Sequence, residues 1–362
     1  MARVGLVICF MGLLWVSLMG GLPGGMLGVG AVEAQSGDFN FVAYGDTRSH
    51  ELPAAVSPVH DGLVVMYLGE NPEFVLHTGD MVMAGGIWDQ WVEFNDSIQG
   101  IWAAGIPFYG VVGNHEKYTG TWYVYDDGFN NYTTFFDFGD VVDVPGETEL
   151  QYAFTYEGVH FVFLNTEDYF DDTFGGTQQF NCSSGQMNWL SSYLVTVDLE
   201  EFLVVTFHRT AWSILFNQPD RWEEAQTIRD DFHNLFVQYG VDLVLMGHDH
   251  YYYRTLRDGI YYVTTGGGGG PLAEIDVTAP IWQPGDVAAS EYHYCNIKVN
   301  STDVTVTAYT SDHSLLDSFS IERPSSPLPG PPIELLVLGL CVVTIIVIII
   351  VVVLILYWRR KS

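Results

Sequence analysis

The sequence predicts an α/β protein with layered sheets, followed by a C-terminal transmembrane helix. Short apolar runs alternate with amphipathic helical segments along the middle of the chain. Five of those runs end in residues able to ligate a metal. Near the C-terminus, Leu335 to Tyr357 is an uncharged run of about 23 residues, enough to cross a hydrocarbon core of about 30 Å.

The ends are read first because they bound the rest. Arg3 precedes the apolar run Val4 to Met19, and Val32-Glu33-Ala34 before Gln35 offers a small-residue cleavage site, so residues 1–34 read as a signal peptide. An N-terminal membrane helix is the competing reading, which the glycines and proline of Gly20 to Gly30 disfavour. Residues 35–323 form the ectodomain, 324–332 a proline-rich stalk and 333–358 the transmembrane helix. Tyr357 and Trp358 suit the membrane interface, and Arg359, Arg360 and Lys361 make 359–362 a basic cytoplasmic tail. The expectation is a single-pass type I protein of the cell membrane with its bulk outside the cytoplasm.

With 44 acidic residues against 13 basic ones and a net charge of −31, the chain repels nucleic acid and anionic lipid surfaces. No nucleic-acid partner is expected. Cys9 and Cys341 fall in the end segments, which leaves Cys182 and Cys295 as candidates for one disulfide in an oxidising compartment. Two cysteines are a poor basis for a thiolate metal site. Asn95, Asn131, Asn181 and Asn300 each begin a glycosylation sequon.

In chain order, Phe39 to Gly45 reads as a buried strand running into Asp46, and Val56 to Leu68 as a helix. Phe74 to Thr78 is a strand that delivers Asp80. Trp88 to Ala104 reads as one helix whose core stripe is Trp88, Trp91, Val92, Ile98, Ile101 and Trp102. Phe108 to Val112 leads to Asn114 and His115, and Tyr118 to Phe138 is an aromatic excursion without period. A hairpin is expected from Tyr152 to Leu164, then a helix from Gln186 to Val197. The strand Phe202 to Phe207 delivers His208, and Arg221 to Tyr239 is an amphipathic helix. The strand Val241 to Met246 opens into Gly247-His248-Asp249-His250. Ile260 to Thr264 runs into the glycines Gly266 to Gly270, and antiparallel strands over Tyr292 to Val299 and Val304 to Tyr309 close the domain.

His248 and His250, two apart on extended backbone, would project to one side about 7 Å apart. That spacing suits two adjacent ions better than one, because catalytic metal pairs sit about 3.5–4 Å apart. In layered α/β sheets the carboxyl ends of the strands converge where ligands bind. Asp46, Asp80, Asn114 with His115, His208, and His248 with His250 would therefore meet. Taken singly, each has a plain structural role, as a helix cap, a turn or a buried histidine. Five deliveries together argue for one site.

Gly45-Asp46, Gly79-Asp80, Gly113-Asn114-His115-Glu116, Val205-Thr206-Phe207-His208 and Gly247-His248-Asp249-His250, in that order, resemble the blocks of the calcineurin-like metallophosphoesterase superfamily, which includes the purple acid phosphatases. The resemblance implies a four-layer α-β-β-α sandwich of two mixed sheets around a two-metal centre. It casts Asp80 as the bridging carboxylate, Asp46 and His250 as ligands of one ion, and Asn114, His208 and His248 as ligands of the other. The cofactors would be two divalent or mixed-valence ions of zinc, manganese or iron. Solvent bridging such ions loses a proton near neutral pH and becomes the nucleophile toward phosphorus. His115 would steady the phosphoryl oxygens and pass a proton to the leaving group. Glu116 would orient His115, cap a helix or lie on the surface.

Two positions depart from the family. Arg48 stands where many members carry a histidine, and Met83 where purple acid phosphatases carry a tyrosine. One ion thus lacks its usual fourth protein ligand, and water or His50 would complete it, or only one ion would bind tightly. Arg48 is a candidate phosphate clamp or a plain salt-bridge partner, Arg209 a weaker phosphate contact. Tyr251, Tyr252 and Tyr253 would line the cleft or pack beneath it. The expected function is metal-dependent hydrolysis of a small phosphorylated substrate, a phosphomonoester first, with a phosphodiester or nucleotide as the alternative. A catalytically idle cell-surface binding module is the second hypothesis. The oligomeric state is not set by the sequence.

Overall fold

Strands apolar on both faces must be covered twice, and that requirement builds the layers. The computed structural model describes residues 37–50, 54–118, 129–136, 142–144, 147–167, 182–198 and 201–322. The expected signal peptide, stalk, transmembrane helix and tail lie outside the described residues. Among the described residues no helix is long and apolar enough to cross a membrane.

The strands in chain order are β1 (Phe39–Tyr44), β2 (Phe74–His77), β3 (Phe108–Gly110), β4 (Val142–Val144), β5 (Glu147–Tyr156), β6 (Val159–Phe163), β7 (Phe202–Thr206), β8 (Leu243–Met246), β9 (Tyr252–Arg257), β10 (Ile260–Thr265), β11 (Val287–Ala289), β12 (His293–Val299), β13 (Asp303–Thr310) and β14 (Leu315–Glu322). The helices are α1 (Pro58–Leu68), α2 (Trp88–Ser97), α3 (Gln99–Ala104), α4 (Phe129–Phe135), α5 (Ser184–Leu194) and α6 (Pro219–Tyr239).

One sheet has the order β14-β13-β12-β1-β2-β3 and the other β11-β9-β10-β8-β7-β6-β5-β4. Both are mixed: β1, β2 and β3 run parallel, as do β6, β7, β8 and β10, with antiparallel strands at the flanks. Side-chain alternation then divides the core. Phe39, Phe41 and Ala43 of β1 pack between the sheets with Phe161, Val204 and Leu245. Val42 and Tyr44 turn outward to Leu63, Val64, Trp91 and Phe94 of α1 and α2. Leu203 and Val205 of β7 turn outward to Leu190, Ile228 and Phe232 of α5 and α6. The result is four layers, helix, sheet, sheet, helix.

Several expectations are corrected. The helix expected over Trp88 to Ala104 breaks at Ile98, and its buried face is Trp91, Phe94, Ile98 and Ile101; Trp88, Val92 and Trp102 are exposed. A single helical stripe cannot be carried across that break. The aperiodic stretch after Tyr118 contains α4, whose Tyr132 is buried and donates to the Gly110 carbonyl. Cys182 packs in the layer under α5 and Cys295 between the sheets, so the expected disulfide does not form. Of the two placements expected for Tyr251, Tyr252 and Tyr253, packing beneath is the one observed: all three are buried, and Tyr252 and Tyr253 begin β9.

A buried chain of hydroxyls and one imidazole ties α1 to the sheet. Tyr67 donates to Tyr44, Tyr44 donates to His60 Nε2, and the His60 Nδ1 proton goes to Ser97 Oγ at 3.1 Å. Burial lowers His60 from an ordinary 6.5 to about 3, since charging it would need a second acceptor that the chain of bonds does not offer. The folded state therefore binds this proton less readily than the unfolded state. Stability is intact above pH 6.5 and falls as the pH drops toward 3. At pH 5 the loss from His60 alone is about 2 kcal/mol. Urea denaturation at pH 7 and pH 5 reads it, and His60→Gln should flatten that pH slope; an unchanged slope would contradict the assignment.

Candidate metal centre

The carboxyl ends of β1, β2, β3, β7 and β8 each lead into a loop, and those loops carry the site. Asp46 and Asp80 follow β1 and β2 with φ of 60° and 57°, and His248 follows β8 with φ of 72°. Aspartate and histidine tolerate this left-handed region better than most side chains, yet it is an uncommon conformation that clusters at functional sites. Gly113 completes the packing: a Cβ there would stand 2.3 Å from Asp80 Oδ1.

Two donor groups share Asp80. One is Asp80, His208 and His248, the other Asp46, Asp80 and His250; all are buried. In the first, His208 Nε2 lies 3.3 Å from Asp80 Oδ1, 3.2 Å from Asn114 Oδ1 and 3.1 Å from His248 Nδ1. The amide of Asn114 donates to Tyr118 Oη, which leaves its oxygen facing the group. In the second, His250 Nε2 lies 3.4 Å from Asp46 Oδ1. His248 and His250 thus serve different groups, turned apart by the left-handed His248 rather than by extended backbone. The six side chains expected from the sequence as metal ligands are thus brought together.

The partners behind the imidazoles select which nitrogen faces inward. His208 Nδ1 donates to the Thr78 carbonyl at 2.7 Å and His250 Nδ1 to the Pro271 carbonyl at 2.8 Å, so each presents Nε2. His248 does the reverse, with Nε2 3.0 Å from the Glu224 carboxylate and Nδ1 inward. Burial works to raise Asp80, but His208, His115 and Arg48 outweigh it and hold the carboxyl well below the usual range. Burial likewise works to lower His208, yet the Asp80 carboxylate pushes it up to about 10. A proton stands there in the place a cation would take. Nitrogen and oxygen donors converging this closely, with two carboxylates and no thiolate, fit two borderline or hard ions.

His115 sits beside the pair, with Nε2 3.9 Å from Asp80 Oδ2 and Nδ1 donating to the Met83 carbonyl at 2.7 Å. Burial keeps it neutral, lowered to about 3 despite Asp80, so its Nε2 faces the site as an acceptor. Arg48 lies with Nε 3.5 Å from Asp80 Oδ2 and Nη1 against Met83 Sδ. His50 is exposed and outside both donor groups. It lines a neighbouring cleft of about 980 Å³ with Asp61, Glu93, Asp96, Tyr292 and Pro271.

Of the roles expected for Glu116, helix capping is the one observed: its buried carboxylate accepts from the Gly113 N–H at the start of the short helix Asn114–Lys117, and also from the backbone N–H of Asp80 and Met81, clamping the β2 and β3 loops together. One expectation changes. Arg209 is no phosphate contact, because its buried guanidinium is held by Glu167 at 2.9 Å and Glu224 at 3.0 Å. The glycine run, by contrast, is the crowded loop that its sequence favours over an anion contact. Gly268 and Gly270 donate to the carbonyls of Gly45 and Asp46, and a Cβ at Gly268 would meet the Gly45 oxygen at 2.3 Å. Glu224 was missed altogether. Its signal was register: with Ile228, Phe232 and Phe236 it falls on the buried stripe of α6 at spacings of four, an unusual place for a carboxylate.

The calcineurin-like phosphoesterase profile matches residues 40–252, which holds every donor above. A probable inactive purple acid phosphatase 1 of Arabidopsis thaliana is 26% identical over 290 residues, 70% of this chain and 44% of that protein. A nucleotide pyrophosphatase/phosphodiesterase of Hordeum vulgare is 26% identical over 292 residues, 70% of this chain and 73% of that protein. The purple acid phosphatase PPD1 of yellow lupin (Lupinus luteus) shares the fold with a TM-score of 0.63 at 24% identity, over 81% of this chain and 55% of that chain. The chain spans less than half the length of the first of these relatives.

Proposed function

This chain belongs to the calcineurin-like phosphoesterase family, and from that premise we propose that it hydrolyses phosphate esters, phosphomonoesters foremost, at a two-metal centre. The observation that carries the reading is the pair of buried donor groups sharing Asp80, with His115 beside them. When bound, the ions supply Lewis acidity toward the phosphoryl oxygens and an activated solvent nucleophile. The chain's own residues do the rest. Asp80 would contribute donors to both ions, and the Thr78 and Pro271 carbonyls keep the His208 and His250 imidazoles aimed. His115, neutral with its Nδ1 proton committed to Met83, offers Nε2 to take a proton from the phosphoryl group and return it to the leaving oxygen.

Nitrophenyl phosphate assayed with zinc, manganese or iron should release nitrophenol, faster than the bis-nitrophenyl diester. His115→Ala should lower kcat by about 10²- to 10⁴-fold. Faster turnover of the diester would favour the phosphodiester reading, which the name of the barley relative motivates. No turnover of either ester with any ion would sink hydrolysis and favour an idle binding module, the reading motivated by Arg48 and Met83.

A further inference from the structure

The two donor groups are unequal. Asp80, Asn114, His208 and His248 offer four protein donors to one ion, with His208 oriented by the Thr78 carbonyl and Asn114 by the hydrogen bond its amide donates to Tyr118. Asp46, Asp80 and His250 offer three to the other. Both Asp46 oxygens already accept the His248 backbone N–H, at 3.0 and 2.9 Å. The Asp80 carboxylate is also divided. Its Oδ1 faces His208, while its Oδ2 has the Arg48 Nε 3.5 Å away.

That guanidinium is held in place. Nη1 donates to the Ser49 carbonyl at 3.1 Å and rests 3.8 Å from Met83 Sδ, and the side chain is 15% exposed. Its Nε has no hydrogen-bond partner of its own, so its positive charge is directed at the shared carboxylate. An ion held by Asp46, Asp80 and His250 would share the Asp80 carboxylate with this fixed like charge, and such repulsion is strong inside a protein. Met83 offers a thioether in the same place, a donor that hard ions take poorly.

Resting on the two-metal reading above, we propose that Arg48 makes the centre asymmetric: the Asn114–His208–His248 side binds its ion tightly and the Asp46–His250 side binds a weak, exchangeable one. Arg48 thereby takes over part of the charge balance that a second resident ion would provide. Activity then depends on free metal in the medium, and removing the loose ion leaves the tight one in place.

The test is a metal titration of the chelator-stripped full chain, with zinc followed calorimetrically and cobalt by its visible absorption. The wild type should bind one ion tightly and a second at least about 10- to 100-fold more weakly, the range over which changes around a metal's ligands act. Arg48→His, which replaces the charge with a donor, should tighten the second ion by a similar factor and leave the first unchanged. Arg48→Gln, neutral and close in size, should tighten it less; it serves as the readout if the histidine variant fails to fold. Two equally tight ions in the wild type, or a second ion indifferent to both substitutions, would overturn the proposal while leaving the two-metal reading intact. Binding of no ion at all would overturn both.

Discussion

Asp80→Asn is expected to strip the centre of stably bound metal and to lower phosphate ester turnover by about 10³-fold or more, with the fold retained. Asp80 is the one side chain common to both donor groups, so a single neutralisation weakens two ions at once. The replacement would also turn an amide N–H toward either His208 Nε2 or Arg48 Nε, the two groups that face its oxygens at 3.3 and 3.5 Å. Either choice sets donor against donor, or donor against ligand. Removing one preorganised electrostatic contact commonly costs 10²- to 10³-fold, and here the contact is counted twice. Elemental analysis after gel filtration, circular dichroism and nitrophenyl phosphate kinetics together decide it. A variant that keeps its metal and half its activity would show that Asp80 does not bridge.

The second large effect lies behind the site. Arg209→Met should destabilise the protein by about 3–5 kcal/mol and weaken metal binding on the His248 side. Arg209 is buried between Glu167 and Glu224, with Glu167 bonded by both Nε and Nη2. Removing the cation leaves Glu167 buried without its ion-pair partner and leaves Glu224 to Arg221 alone, itself a quarter exposed. Glu224 is the carboxylate behind His248, so a shift there is felt at the metal. Arg209→Lys keeps the charge but not the planar fork, and should recover only part of the loss. Urea denaturation of the metal-free protein isolates the stability effect. A change below about 1 kcal/mol would be that of an ordinary surface ion pair and would sink the account.

The ligand loops were legible in the sequence because each follows a short apolar strand, and strand ends on parallel neighbours come to one edge whatever the intervening helices do. The same local logic placed β1, β2, β7 and β8 and the helices α1, α5 and α6 within a few residues. What escaped was tertiary. Glu224, Glu116 and Arg209 owe their roles to His248, Asp80 and Glu167, 24, 36 and 42 positions away, and no spacing encodes that Arg209 turns inward to carboxylates instead of toward a phosphate. The Trp88 to Ala104 stripe failed for a different reason: the chain breaks at Ile98, and three large apolar side chains that fit a continuous helix face solvent once it is split. Cys182 and Cys295 paired on paper only because no others remained.

The wall formed by Gly266 to Gly270 has a consequence for how the protein can change. A methyl group at Gly268 would collide with the Gly45 carbonyl, at Gly266 with the Asp249 carbonyl, and at Gly267 and Gly270 with the rings of His293 and His250. That flank is sealed against innovation: mutation can damage it but cannot decorate it with a new contact. Divergence in what the pocket accepts must then accumulate elsewhere around the site, at side chains such as Arg48 and Tyr118 that keep some exposure.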